Sequence, residues 1–372
     1  MNMDNKTAHH SIRKQVIDLS KQAYQQLKIR RYADSRKLFE EALQLAPSDL
    51  YLMTGLGDTL RQQKDFSAAA TYYRRVLEIE PCNLFALRGL GDTLRGLHQY
   101  LDAIEYWKKY LHAKNSKDVF VTTRIADCYK ALHHYEESQT YYRKALDIVS
   151  NDRYALMGLA DLYHKQGLES DAIEYYERAI ANGVTLINIL TIVGNLHYRQ
   201  GNHEKSRVYH ERALALDPDN AYALYGLGSY YRYKCDYRKA VELWEKILEK
   251  SSGTANLMTR LGDAYFNLGQ YEAAERSYRK NLENGYETFA MVGLIKLHSL
   301  QGRLKEACDC YDEMLHNEGE DRKVFSEVAD LLIQRNEPDM ALQFLQHAKR
   351  QHDDKSTLQR IIGDRIRQLE EA

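Results

Sequence analysis

The stretch GLGDTLR at residues 55–61 returns letter for letter at 89–95, 34 positions further on, and that spacing decides the fold. Counting from Val16, equivalent repeats begin at Leu50, Leu84, Val119, Arg153, Ile187, Ala221, Ala255, Thr288 and Arg322. Ten repeats therefore fill 16–355, with a one-residue drift at two of them and no long insertion. A fixed period of this length predicts a solenoid, in which each repeat buries its apolar face against its neighbours and binding occurs on a long repeated surface.

The chain is 44% apolar, enough to bury a core, and its 52 basic side chains balance 53 acidic ones, so bulk charge does not attract phosphate and nucleic acid is not the expected partner. Only four prolines occur and no linker-like stretch breaks the period, which predicts one elongated repeat domain. No apolar run is long enough for a signal core or a membrane span, so no membrane partner is expected. Cys82, Cys128, Cys235, Cys308 and Cys310 are odd in number and irregularly placed, which predicts free thiols and a cytoplasmic home.

Each repeat carries helical spacing twice. In the second, Met53, Leu56, Gly57 and Leu60 form one stripe, and Ala69, Tyr72, Tyr73, Val76 and Leu77 another. Gly167, Gly201, Gly269 and Gly302 stand where the turn between two helices needs a left-handed residue, and Asn336 takes that place in the tenth repeat. Pro47, Pro81 and Pro218 close their repeats. The eighth place is small throughout except at Ile295, as at Ala23, Gly57, Gly91, Gly194 and Gly228, and so is the twentieth. Four places beyond the twentieth stands a large residue, as at Phe39, Tyr73, Trp107, Tyr142, Tyr176, His210, Trp244 and Tyr278, which predicts knobs filling the holes that small residues leave.

This pattern of small, aromatic and closing proline residues resembles the tetratricopeptide repeat (TPR) and covers nearly the whole chain. The resemblance implies an all-α, right-handed superhelical solenoid of antiparallel helix pairs, whose first helices line a concave groove that holds a peptide or protein segment. Residues 1–15 are expected to be a flexible segment, and 356–372 a C-terminal capping helix whose apolar face covers the last repeat while Arg365, Arg367, Glu370 and Glu371 meet water.

Places two, five, nine and twelve share a face of the first helix. Place nine carries Asp58, Asp92, Asp127, Asp161, Asp263 and Asp330, and Asp is a poor mid-helix residue. One account is local ion pairing with Arg61, Arg95 and Lys130, three residues beyond the first three of these; the other is a carboxylate ladder for a partner's backbone or basic groups. Place two carries Tyr51, Phe85, Phe120, Tyr154, Tyr222 and Phe289, which serve as interface anchors, as packing against the preceding repeat's second helix, or as both. In the seventh repeat Tyr222, Tyr225, Ser229, Arg232 and Tyr233 share roughly one face and form a candidate hot spot. These residues, together with Arg88 at the fifth place, make up the predicted groove.

The chaperone-tail clamp found in some members of the resembled family needs Lys and Asn at the fifth and ninth places. Here Arg88 is followed by Asp92, and Asn195 follows Thr191, so no chaperone C-terminal carboxylate clamp is expected. Gly55-x-Gly57 lacks the third glycine of a nucleotide fingerprint, and Cys308-x-Cys310 has no second pair at zinc spacing. No nucleophile–base set can be placed, so no cofactor, metal or catalytic residue is expected. The sequence thus predicts a non-enzymatic scaffold or adaptor for a protein or peptide segment. The alternatives are a self-associating structural protein, hence a homo-oligomer, or a regulatory subunit of an enzyme complex.

Overall fold

The computed structural model describes residues 2–113, 117–250, 255–283, 285–318, 324–351 and 357–371; the side chains of 2–10 and 255 lie outside the described set. The described residues form 21 helices and no strand. They fall into two compact units, Met1–Thr185 and Leu186–Ala372.

The first unit contains α1 (Asn2–Lys28), α2 (Tyr32–Leu45), α3 (Leu50–Gln62), α4 (Phe66–Ile79), α5 (Leu84–Gly96), α6 (Tyr100–Ala113), α7 (Val119–Ala131), α8 (Tyr135–Ile148), α9 (Arg153–Lys165) and α10 (Glu169–Ala181). Each helix packs on the next, and α3 also touches α5 as α7 touches α9, so the first helices of these neighbouring repeats lie side by side. The second unit contains α11 (Ile187–Arg199), α12 (His203–Leu216), α13 (Ala221–Tyr233), α14 (Tyr237–Lys250), α15 (Ala255–Asn267), α16 (Tyr271–Leu282), α17 (Thr288–Leu300), α18 (Leu304–Glu318), α19 (Val324–Gln334), α20 (Pro338–Arg350) and α21 (Thr357–Glu370). The fold is an all-α solenoid of helix pairs.

From the second repeat to the ninth, each first helix begins at the residue the period marks, from Leu50 to Thr288. The helix of the first repeat starts earlier than Val16, at Asn2, while the expected starts of the tenth repeat and of the cap, at 322 and 356, lie outside the described residues. Asp49, Asn83, Asp118, Asp152 and Asn220 fix several of these starts, each accepting a hydrogen bond from a first-turn backbone N–H. α21 packs on α20 through buried Ile362 and Ile366.

All ten turns between paired helices share one left-handed residue. It is glycine or asparagine in five repeats and Arg30, Lys64, His98, His133 or Cys235 in the others, with φ between 58° and 79° throughout. At Gly201 (φ 79°) an added Cβ would meet nothing within 4 Å, so Gly201→Ala should cost about 1 kcal/mol through backbone conformation alone. Urea denaturation followed by circular dichroism checks this, and an unchanged midpoint would show that the turn relaxes.

The core is built on the large residue of each second helix. Tyr73, Trp107, Tyr142, Tyr176, His210, Trp244 and Tyr278 are completely or almost completely buried. A Cβ added at Gly57 would stand 2.9 Å from the Tyr73 ring, and one at Gly89 2.5 Å from it. The knob is therefore clasped between the eighth place of its own repeat and the sixth place of the next. Tyr278 sits likewise between Gly262 and Gly293, and His210 between Gly194 and Gly226. Close packing thus explains both glycines of the G-x-G pairs.

Candidate functional site

Four of the six place-nine aspartates accept from the tyrosine knob of their own repeat. The Tyr73 phenol donates to Asp58 at 2.8 Å, Tyr176 to Asp161 at 2.5 Å, Tyr278 to Asp263 at 2.8 Å, and Tyr142 to Asp127, always across fifteen positions. Burial, with the facing carboxylate second, pushes each of the Tyr73, Tyr142 and Tyr278 hydroxyls far above its ordinary range, so the phenols act as donors. Where the knob is Trp107, Asp92 is held instead by Arg124 and, at 3.6 Å, by Arg61.

Local pairing accounts for less than the spacing suggested. Arg61 does reach Asp58 at 3.2 Å, but Lys130 pairs with Asp161 of the next repeat at 3.7 Å, and Asp92 takes Arg124 rather than Arg95. The aspartates are therefore structural acceptors, whatever else they touch. Arg124 was missed as a site residue; its signal is that it stands at the sixth place, where five other repeats carry glycine.

The second place turns outward. Tyr51, Phe85, Tyr154, Tyr222 and Phe289 are 63–76% exposed and Phe120 is 42% exposed, so none is buried against the preceding repeat's second helix. Tyr51 leans on Tyr24 at 4.8 Å, and the guanidinium groups of Arg88 (5.2 Å) and Arg124 (3.8 Å) both stand over the Phe120 ring. Phe85, Phe120, Asp58, Arg61, Arg88, Asp92 and Arg124 line one cavity of about 510 Å³ on the first-helix face of the first unit. Of the predicted groove, the structure gathers six residues at this spot. Arg95 is exposed near it, and Tyr154 and Asp161 lie on α9, the neighbour of α7.

The seventh-repeat cluster is divided. Tyr222 is exposed, while Tyr225 lies half-buried with the Arg260 guanidinium 5.4 Å over its ring and accepts the Ser229 hydroxyl on its backbone carbonyl. Tyr233 stacks on His203 at 3.6 Å, toward the preceding repeat's turn. Arg232 instead lines a second cavity, of about 440 Å³, with Asp263, Phe266, Phe289, Lys296 and Glu327. There, burial holds the Asp263 carboxyl above its ordinary range against the pull of Tyr278 and Arg232, and Lys296 is already tied to Glu327 at 2.6 Å.

All five cysteines are free, with burial pushing the Cys128 thiol up to about 12 and both Cys308 and Cys310 to about 11. No described helix is long and apolar enough to cross a membrane.

Tandem helix pairs with a knob clasped between successive repeats define an α-solenoid repeat protein. Sequence models of the tetratricopeptide repeat match residues 20–81, 118–182, 185–249 and 255–283, more than half of the chain, and the chain belongs to that family. No curated protein matches the sequence.

Among solved structures, the C-terminal part of a TPR repeat-containing protein from Cytophaga hutchinsonii is similar at 21% identity and a TM-score of 0.51, over 63% of this chain and 97% of that one. YrrB, described as a TPR protein with an unusual peptide-binding site, aligns at 18% identity and a TM-score of 0.47 over 50% of this chain and 97% of its own. PilF of Pseudomonas aeruginosa aligns at 15% identity and a TM-score of 0.49 over 61% and 99%.

Proposed function

We propose that the chain is a non-catalytic adaptor that seats a segment of a partner protein on the first-helix face of its N-terminal unit. The row of exposed aromatic residues, Tyr51, Phe85, Phe120 and Tyr154, one per repeat on consecutive first helices, carries the reading. Aromatic side chains give large contact area at small entropic cost, and exposing one per repeat without a binding role wastes apolar surface. Packed helices lie roughly 10 Å apart. An extended chain at about 3.3 Å per residue therefore meets one anchor every three residues or so. The five free thiols suit a reducing cytoplasm.

A phage-displayed random peptide library panned on the full chain tests this. Enriched peptides should bind Phe85→Ala/Tyr154→Ala at least about tenfold more weakly, the loss of one hot-spot anchor or more, while helical content and melting stay unchanged because both side chains are exposed. Failure to enrich any peptide, or binding indifferent to both substitutions, would remove this face from the function. Light scattering that keeps the mass above monomer without added peptide would assign the aromatic row to self-association instead.

A further inference from the structure

Charge is unevenly distributed in the N-terminal unit of a chain that is nearly neutral overall. The first helices α3, α5, α7 and α9 carry seven Lys and Arg against four Asp. The second helices α2, α4, α6, α8 and α10 carry more acid than base.

The four aspartates are moreover each hydrogen-bonded to a tyrosine or arginine of the fold, Asp127 while exposed. Asp58 accepts from Tyr73 and Arg61, Asp92 from Arg124, Asp127 from Tyr142, and Asp161 from Tyr176. Arg88 and Arg95, in contrast, have no carboxylate of the described residues as a partner. Arg88 lies over Phe120 in the 510 Å³ cavity, and Arg95 stands exposed two turns further along α5. Burial holds the Arg124 guanidinium below its ordinary range, and the charges of Arg95 and Arg88 act in the same direction against Asp92. Positive charge is crowded at this spot, with Phe85 exposed beside it.

We infer that the segment held on this face is acidic, with Asp or Glu side chains reaching Arg88 and Arg95 and an interspersed apolar side chain seated against Phe85 and Phe120. The inference rests on the docking reading above and names the chemistry of its partner. A forked guanidinium suits a carboxylate, and an unpaired cation loses its nearest repulsion when an anion arrives. Net positive potential also speeds encounter with an acidic segment.

Fluorescence anisotropy on the full chain separates the possibilities, using fluorescein-labelled peptides of repeated Glu-Phe-Glu-Ser, Gln-Phe-Gln-Ser and Lys-Phe-Lys-Ser. The Glu peptide should bind best and weaken as salt rises. Arg88→Glu/Arg95→Glu should weaken it about tenfold or more, the combined effect of two partly exposed ion pairs, and should gain affinity for the Lys peptide. That gain cannot come from misfolding, and Lys144→Glu on the exposed face of α8 should change neither peptide.

Equal binding of Gln and Glu peptides to the wild type, or Glu binding untouched by the charge reversal, would overturn the acidic assignment. If the library yields Phe85-dependent binders that are not acidic, the acidic assignment falls and the docking face stands. If the library yields none and no labelled peptide binds, both fall.

Discussion

Replacing Tyr73 by alanine should lower the stability of the N-terminal unit by about 3–5 kcal/mol, the range for deleting a fully buried aromatic ring. The ring is completely buried and fills a slot built for it on both sides, by Gly57 in α3 and Gly89 in α5. Its loss opens a cavity at the junction of two repeats, which a glycine pair cannot refill. Tyr73→Phe isolates the hydroxyl: it keeps the packing but takes the donor from Asp58, which retains Arg61, and should cost about 1 kcal/mol. Adding Asp58→Ala, which removes the acceptor, to Tyr73→Phe should cost less than the sum of the two single changes, because they share one interaction. Hydrogen exchange read separately on α3, α4 and α5 measures these effects. Full additivity would show that the phenol–carboxylate bond stabilises nothing, and an alanine variant within 1 kcal/mol of wild type, on the order of a surface change, would refute the clasped-knob account.

The C-terminal unit should lose about 3 kcal/mol of stability between pH 6.5 and pH 4 through one residue, His210. It occupies the knob position in the sixth repeat, fully buried between Gly194 and Gly226, and neither ring nitrogen has a hydrogen-bond partner among the described residues. Burial lowers its folded value from 6.5 to about 4, so the unfolded chain binds the proton first as pH falls. Stability is therefore intact above pH 6.5 and declines toward pH 4, by about 1.4 kcal/mol per unit of the shift. Burial moves His298, in the same unit, in the same direction, with Arg303 adding to it.

His210→Tyr supplies a ring that other repeats accommodate between two glycines, as Tyr73 and Tyr278 do, and should remove the His210 share of this acid dependence. Thermal melts of both proteins at pH 7 and pH 4.5 check it. An equal loss in the variant would place the acid sensitivity elsewhere.

Much of this molecule can be read directly from its sequence. The helix starts from Leu50 to Thr288, the left-handed turn residues, the small places and the buried knobs all follow from one period, because each depends on local spacing or on the neighbouring repeat. The outward direction of Phe85, Tyr154, Tyr222 and Phe289 also shares that register, although spacing left their exposure open. The acidic ladder is different. Its place on the first helix was legible, but its partners were not, because the Tyr73–Asp58 bond spans two antiparallel helices and no helical periodicity links the ninth place to the twenty-fourth. Arg124 escaped notice for the same reason: its partner Asp92 lies 32 positions away, on the preceding first helix.

The sequence by itself thus determined the solenoid, since a repeat that cannot bury its own apolar face must stack on the next. Only the tertiary structure decided which charges remain without a partner among the described residues, because side-chain pairing depends on how neighbouring helices meet: it pairs the aspartates with tyrosine and arginine and leaves Arg88 and Arg95 beside the exposed aromatic row.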